Sequence, residues 1–530
     1  MIQKRIDYNS ISKDFLYNGF FSEYLIPSFK LSDSIDFFTI QLCEKSDLVE
    51  PLSFNMSRFS EDGKRRVIHL PEFGSYINAV KYMNENDLIK DIIILSEDKH
   101  SFSPILNEDG ELSRHEREYG KQIPISEVEQ DACVSNYIPN IIKKLNLARG
   151  AVGILKLDIS SFYQSYYTHL TPCLKLGYEN TMDAFKRFRA NQSDPLIPEC
   201  YSIYLDLDKK IRSMNGDRTN GLLTGITISR LLSEAILARI DEEIEKEGIK
   251  FARYVDDYEI FIYDSREIHK MQNIISSIFK KYFFTINYEK IEYVSFPYYV
   301  VKNLEGIYSK YISKKMRSNE IIELFNTFFD LETEGVKGAV RYLIKSLDAV
   351  ETEPNKTPFI NKTLYSDYLI NVLTNEPRSL VKVCELIISS KNILRLGEND
   401  IALIESLLKK HIIDYNHLEV IWLLYLRRTL TTKRLKAELS KSIINSDNEL
   451  ATIVLLEEYK SSLSAKMISQ IVAKAKSWLL LYQLYYHDII SEDEFSNSSG
   501  IHHSLPLYKT LKKKKYSFYN KSDNYSKRHK

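Results

Sequence analysis

The 530-residue chain sets 72 Lys and Arg against 72 Asp and Glu, and 44% of it is hydrophobic, the profile of an ordinary soluble protein too long for one compact core. Net charge therefore points to no partner. Five scattered cysteines without a CxxC pair exclude a disulfide framework and a zinc site; no signal-peptide core opens the chain and no apolar run reaches membrane length, so a cytoplasmic protein with no membrane partner is expected.

Up to about residue 300, short apolar runs alternate with amphipathic stretches, which predicts a mixed α/β region. DIIILS (91–96) and GILKLDIS (153–160) read as buried strands. SRLLSEAILARIDEEIEKEG (229–248) reads as a helix, with Leu231, Leu232, Ala235, Ile236 and Ile240 as its apolar residues and Gly248 as its stop. FARYVDDYEIF (251–261) reads as strand, turn and strand with Asp256 and Asp257 at the turn, and SREIHKMQNIISSIFKKYF (265–283) as a further helix. Beyond about 310 the patterns are helical, roughly ten helices or five antiparallel pairs of the repeat kind, with an irregular bundle as the competing arrangement. VETEPNKTPF (350–359) reads as a loop, and His487-Asp488 as helix-end solvation rather than a metal-binding pair. From about Ser496 a polar connection containing His502 and His503 leads into a basic tail, with nine Lys or Arg against one acid from Lys509 onward. That tail is expected to be mobile, either simply solvated or binding nucleic-acid phosphates while Tyr516, Phe518 and Tyr519 stack on bases.

The chemistry centres on the paired aspartates. An ordinary hairpin turn would be loosely polar, yet Tyr254, Val255 and Tyr258 hem these carboxylates in. Asp158, far upstream, ends another apolar strand just before Phe162 and Tyr163. Acids at the ends of neighbouring strands can meet and hold two Mg²⁺ ions roughly 3.5–4 Å apart, the arrangement used in phosphoryl transfer.

Tyr254-Val255-Asp256-Asp257 resembles the YxDD box of reverse transcriptases, and Asp158 with Phe162-Tyr163 resembles their first catalytic block. NGLLTGITISRLLSEAILARID (220–241) is similar to the intervening block through Gly221, Gly225 and Ser229, with Leu223-Thr224 in place of the usual Pro-Gln. Asn287 and Lys290 resemble the Asn-x-x-Lys that follows. The match covers about residues 50–300. It implies that Asp158 and Asp256 are the primary ligands of Mg²⁺, with Mn²⁺ as an alternative, and that Asp257 supports them. It implies too that Tyr163, beside Phe162, is a steric gate favouring deoxynucleotides, that Gly225 borders the dNTP and that Lys290 approaches its pyrophosphate. DGKRRVIHLP (62–71) falls where fingers residues bind the triphosphate, making Lys64, Arg65 and Arg66 candidate phosphate ligands.

The missing Pro-Gln counts against ordinary template reading, and no thumb, endonuclease or RNase H pattern is present. SFYQSYYTHL (161–170) and the overall layout resemble the abortive-infection (Abi) group of bacterial phage-defence proteins. That resemblance implies an α/β right-hand fingers and palm domain (1–300), an α-helical, HEAT-like repeat domain (301–495) and the basic tail (496–530). It also implies template-independent, protein-primed addition of dNTPs, a single-stranded DNA product attached to protein, and a homo-oligomer. The candidate primer hydroxyls are those of Tyr8, Tyr17, Tyr516, Tyr519 and Tyr525, with Tyr8 favoured for its polar neighbourhood. A template-dependent reverse transcriptase of another bacterial class and a catalytically silent defence scaffold are the alternatives.

Overall fold

Strand formers between polar breaks build two sheets. Leu52–Ser57 (β1) and Arg65–Leu70 (β2) form an antiparallel two-stranded ribbon. Gly153–Asp158 (β3), Phe251–Tyr254 (β4), Asp257–Ile262 (β5) and Glu292–Ser295 (β6) form an antiparallel sheet in the order β4-β5-β3-β6. In this computed structural model the described residues are 6–43, 45–57, 65–107, 110–113, 137–299, 302–312, 315–350 and 359–521. Lys64, Cys133, Asp523 and Tyr525 lie outside them.

Around the strands stand α1 (Tyr8–Asn18), α2 (Phe73–Glu85), α3 (Leu88–Ser96), α4 (Tyr137–Leu147), α5 (Phe162–Ser165), α6 (Cys173–Leu176), α7 (Tyr178–Ala190), α8 (Glu199–Met214), α9 (Thr227–Lys246) and α10 (Ile268–Lys281). The segment expected as a strand at 91–96 belongs instead to α3. Leu88, Ile89, Ile92 and Ile93 are buried while Asp91 is half-buried and Ile94 exposed, a helical spacing that lets α3 pack against α9. A short isoleucine run suits either period, and here the flanking Leu88-Ile89 extends it into a helix. Helix α9 is buried on nearly every side, as a helix enclosed by other elements must be.

The rest of the chain is helical, with no strand after β6 among the described residues. It comprises α11 (Leu304–Ile312), α12 (Ser318–Thr333), α13 (Ala339–Val350), α14 (Lys362–Asn375), α15 (Leu380–Ser389), α16 (Glu398–Ile413), α17 (His417–Leu430), α18 (Ala437–Asn445), α19 (Glu449–Glu458), α20 (Ala465–Lys474), α21 (Trp478–Tyr486), α22 (Glu492–Ser499) and α23 (Leu505–Lys513). Helices α13, α15, α17, α19 and α21 touch in succession, and α12, α14, α16 and α18 each lie against the inner helix that follows. Helix α17 also meets β1, and the Trp422 indole donates to the Tyr24 carbonyl at 2.8 Å.

The expectation of a mobile tail from residue 496 is corrected over its described part. Asp47 accepts the backbone N–H groups of His502, His503 and Ser504 at 2.8–3.0 Å, and Tyr508 donates to buried Glu72 at 2.6 Å. Tyr516, Phe518 and Tyr519 are buried; Phe518 packs against the rings of Phe21, Phe73, Trp478, Tyr482 and Tyr516. These rings close the N-terminal segment over the last helices, so they offer no platform for bases. The lysine-rich composition hid an aromatic side of the same segment. Phe518→Ala should therefore destabilise the protein by about 3–5 kcal/mol, read as a lowered midpoint in urea unfolding; an unchanged midpoint would show that the closure is not cooperative with the core.

Candidate active site

Strand β3 lies between β5 and β6, buries Ile154, Leu155 and Leu157, and carries Asp158 to its C-terminal end. There Asp158 is register partner to Asp257, the first residue of β5. Tyr254 pairs with the same Asp257, so Val255 and Asp256 form the two-residue turn between β4 and β5. Tight hairpins favour Asn or Gly at positions of positive φ. Here a β-branched residue takes one, with Val255 at φ +54°.

Buried polar groups hold that turn. The Val255 N–H donates to Ser103 Oγ at 2.9 Å, and its carbonyl accepts from Arg253 Nη1 at 3.0 Å. Ser103 donates in turn to Glu234 at 2.8 Å, while the Arg253 guanidinium bridges Glu234 at 2.9 Å and Asp241 at 2.6 Å. Arg253, Glu234 and Asp241 are no more than 1% exposed. Reading the sequence for acids missed this trio. Its signal was a charged Arg253 in a strand between buried Ala252 and the turn, and two acids within the apolar α9.

Three carboxylates thus meet at one edge of the sheet. Burial, and then the charge of Asp158, push the Asp256 carboxyl up to about 6. Burial, Asp256 and Asp158 push Asp257 up to about 7. Lys290 draws both down, and Arg66 draws down Asp256. Asp158 Oδ2 accepts from Lys290 Nζ and from Asn287 Nδ2, each at 3.0 Å. This all-oxygen, mutually repelling donor set fits a hard divalent cation. Among the described residues no group of three or more His, Cys, Asp or Glu side chains is close enough to form a ready-made metal cage.

Tyr163 stands half-buried in α5, edge-on to Phe162 at 5.6 Å, with its hydroxyl 3.4 Å from Ser233 Oγ. Its carbonyl accepts from the N–H of Leu222, which ties Tyr163 to the glycine block. Gly225, at φ +103°, has Ile68 of β2 so close that an added Cβ would lie 2.4 Å from its Cγ2. Thr224, which replaces the usual glutamine, accepts the His69 N–H at 2.8 Å and donates its hydroxyl to the Val67 carbonyl. Gly225 therefore serves the contact between β2 and the block.

The basic stretch divides. Strand alternation sends neighbouring side chains to opposite faces. Arg66 is exposed and its charge reaches Asp256. Arg65, expected on the triphosphate, instead pairs with Glu419 of α17 and donates to Asn55 at 2.7 Å. Lys64 lies outside the described residues. Among the primer candidates, Tyr8 opens α1 beneath the Lys90 ammonium, at 5.8 Å, and burial and Glu97 raise its pKa. Tyr17 donates to the Ile35 carbonyl at 2.6 Å, and Tyr516 and Tyr519 are buried in the closure of the tail. The structure thus brings together Asp158, Asp256, Asp257, Lys290 and Arg66, and leaves Tyr8 against Lys90.

Residues 121–343 match the profile of the family described as reverse transcriptase (RNA-dependent DNA polymerase). That span is similar to a reverse-transcriptase domain. The matched span includes Asp158, Asp256, Asp257 and Lys290. Enzymes with this domain act on nucleotides and nucleic acid and use divalent metal ions. Among solved structures, telomerase from Candida tropicalis in complex with a TWJ fragment of telomeric RNA is similar at a TM-score of 0.31 and 12% identity, covering 78% of this chain and 65% of that one. Apo telomerase from the same organism gives 0.30 and 12%, covering 84% and 73%; telomerase from Candida albicans with a TWJ fragment gives 0.27 and 13%, covering 86% and 68%. This chain spans less than two thirds of the first of these. No curated protein matches it. Among the described residues no helix is long and apolar enough to cross a membrane.

Proposed function

We propose that the reverse-transcriptase-like domain is a DNA polymerase of the bacterial Abi kind, which adds dNTPs without a template to a protein hydroxyl and acts in phage defence. The observation that carries this reading is the register of Asp158 against Asp257 with Asp256 in the adjoining turn. Asp158 and Asp256, supported by Asp257, are the residues that would hold Mg²⁺ (or Mn²⁺), which lowers the pKa of an attacking hydroxyl and stabilises the departing pyrophosphate. Tyr163 excludes a ribose 2′-hydroxyl by its bulk. Arg66, with Lys64, meets the triphosphate, and Lys290 neutralises charge beside Asp158. Untemplated synthesis is favoured by Thr224, whose short side chain is engaged by β2 and offers no amide to a templating pair. The alternation of inner and outer helices after residue 318 supports a HEAT-like repeat half. In this reading Tyr8 is the primer, the product is single-stranded DNA joined to protein, and the protein works as a cytoplasmic homo-oligomer.

Purified protein incubated with single dNTPs and Mg²⁺, with no nucleic acid, should make polymer that stays with the protein on a denaturing gel until protease is added. Mass spectrometry of the digest should find nucleotide on Tyr8. Synthesis that appears only when an RNA is supplied would overturn the untemplated reading.

A further inference from the structure

The β1–β2 ribbon has only two strands, and such a ribbon is marginal by itself, so its position is set by what it is fastened to. On one side β2 is joined to the glycine block through Val67, Ile68 and His69. On the other it is joined to the helical half. The Asn55 side chain donates to the Tyr415 carbonyl at 2.9 Å and accepts the His417 N–H at 3.1 Å, just where α17 begins. The same Asn55 Oδ1 receives Arg65 Nε at 2.7 Å, and the other arm of that guanidinium pairs with Glu419, itself 3% exposed. One residue along, on the opposite face of the strand, Arg66 carries its charge toward Asp256.

We infer that Asn55, Arg65 and Glu419 form a latch by which the helical half sets the position of Arg66 relative to Asp256. They are positioning residues for nucleotide binding, and any partner that shifts α17 would change nucleotide affinity through them. The inference rests on the reading of Arg66 as a triphosphate ligand. It also explains why two adjacent arginines are present: one fixes the strand from behind, and the other faces the nucleotide.

Steady-state dNTP incorporation by the full chain tests it. Glu419→Gln keeps the shape and removes the charge; it should raise the KM for dNTP about tenfold with kcat within about twofold, the pattern of lost substrate binding. Arg65→Lys, which retains the charge but not the fork, should raise it less. In an Arg66→Ala background Glu419→Gln should add under about twofold, because the latch acts through Arg66. Asn55→Ala removes no charge from the interface and serves if Glu419→Gln does not fold; it should raise KM several-fold with its melting temperature little changed. An active wild type whose KM is unmoved by these changes, or a Glu419→Gln effect that multiplies in full with Arg66→Ala, would overturn the latch alone. A wild type inert with every dNTP, template present or not, would overturn the polymerase reading and the latch with it.

Discussion

Asp256→Asn is expected to abolish dNTP incorporation, and Asp158→Asn likewise, each by at least about a thousandfold. The ion they would hold supplies several kcal/mol of transition-state stabilisation, and each 1.36 kcal/mol is tenfold in rate. Asparagine keeps the shape of the turn and of the β3 terminus, so circular dichroism should be unchanged. Asp257→Asn should cost less, since in the proposed mechanism Asp257 only supports the two primary ligands. Rates of labelled dNTP incorporation decide this, and activity within tenfold of wild type in Asp256→Asn would remove these aspartates from the chemistry.

The same site predicts a pH profile. Asp257 at about 7 and Asp256 at about 6 must lose their protons to act as ligands, so kcat/KM should fall as the pH drops through that range. Raising Mg²⁺ should move this limb to lower pH, because cation and proton compete for the same oxygens. Stability runs the other way in chelator-treated protein. A carboxyl raised above its ordinary 3.8 binds its proton more tightly folded than unfolded. Its contribution to stability is therefore full below about pH 4 and lost as the pH rises through 6 to 7. Asp257→Asn should accordingly raise the melting temperature at pH 8 and leave it unchanged at pH 4.

How much of this was legible in the sequence depends on how local the cause is. The aspartates could be read because each sits where an apolar strand ends, and β3 and β5 carry them to the same sheet edge. Helices α9 and α10 were legible from their period. The α3 segment was not, because a run of isoleucines satisfies both periods and the deciding contact, α9, lies far along the chain. The tail misled for a related reason: its lysines are local, whereas the partners of Phe518 lie some four hundred residues away and more, at Phe21 and Phe73, as well as nearby. Arg65 and Arg66 are indistinguishable in composition and differ only in which face of β2 each occupies. That difference becomes visible once Glu419 is known to lie behind the strand.

Arg253→Met should produce the largest loss of stability of any single change near the site. It leaves Glu234 and Asp241 buried without their cation, a defect worth about 3–5 kcal/mol. It also deprives the Val255 carbonyl of its donor, so the strained turn that presents Asp256 loses one of its anchors. These two effects can be separated. Replacing a whole buried ion network by apolar residues is often neutral in stability. The triple variant Arg253→Met, Glu234→Leu, Asp241→Leu should therefore recover most of the urea midpoint lost by Arg253→Met. It should not recover activity, since neither the arginine nor the Glu234 that orients Ser103 is left to hold the turn. kcat should stay at least about tenfold down, equivalent to 1.4 kcal/mol of misplaced Asp256, with the KM for dNTP little altered because Arg66 and Tyr163 are untouched. A triple variant that regains both stability and kcat would show that the network supports the core of α9 and β4 and has no part in aiming the aspartate.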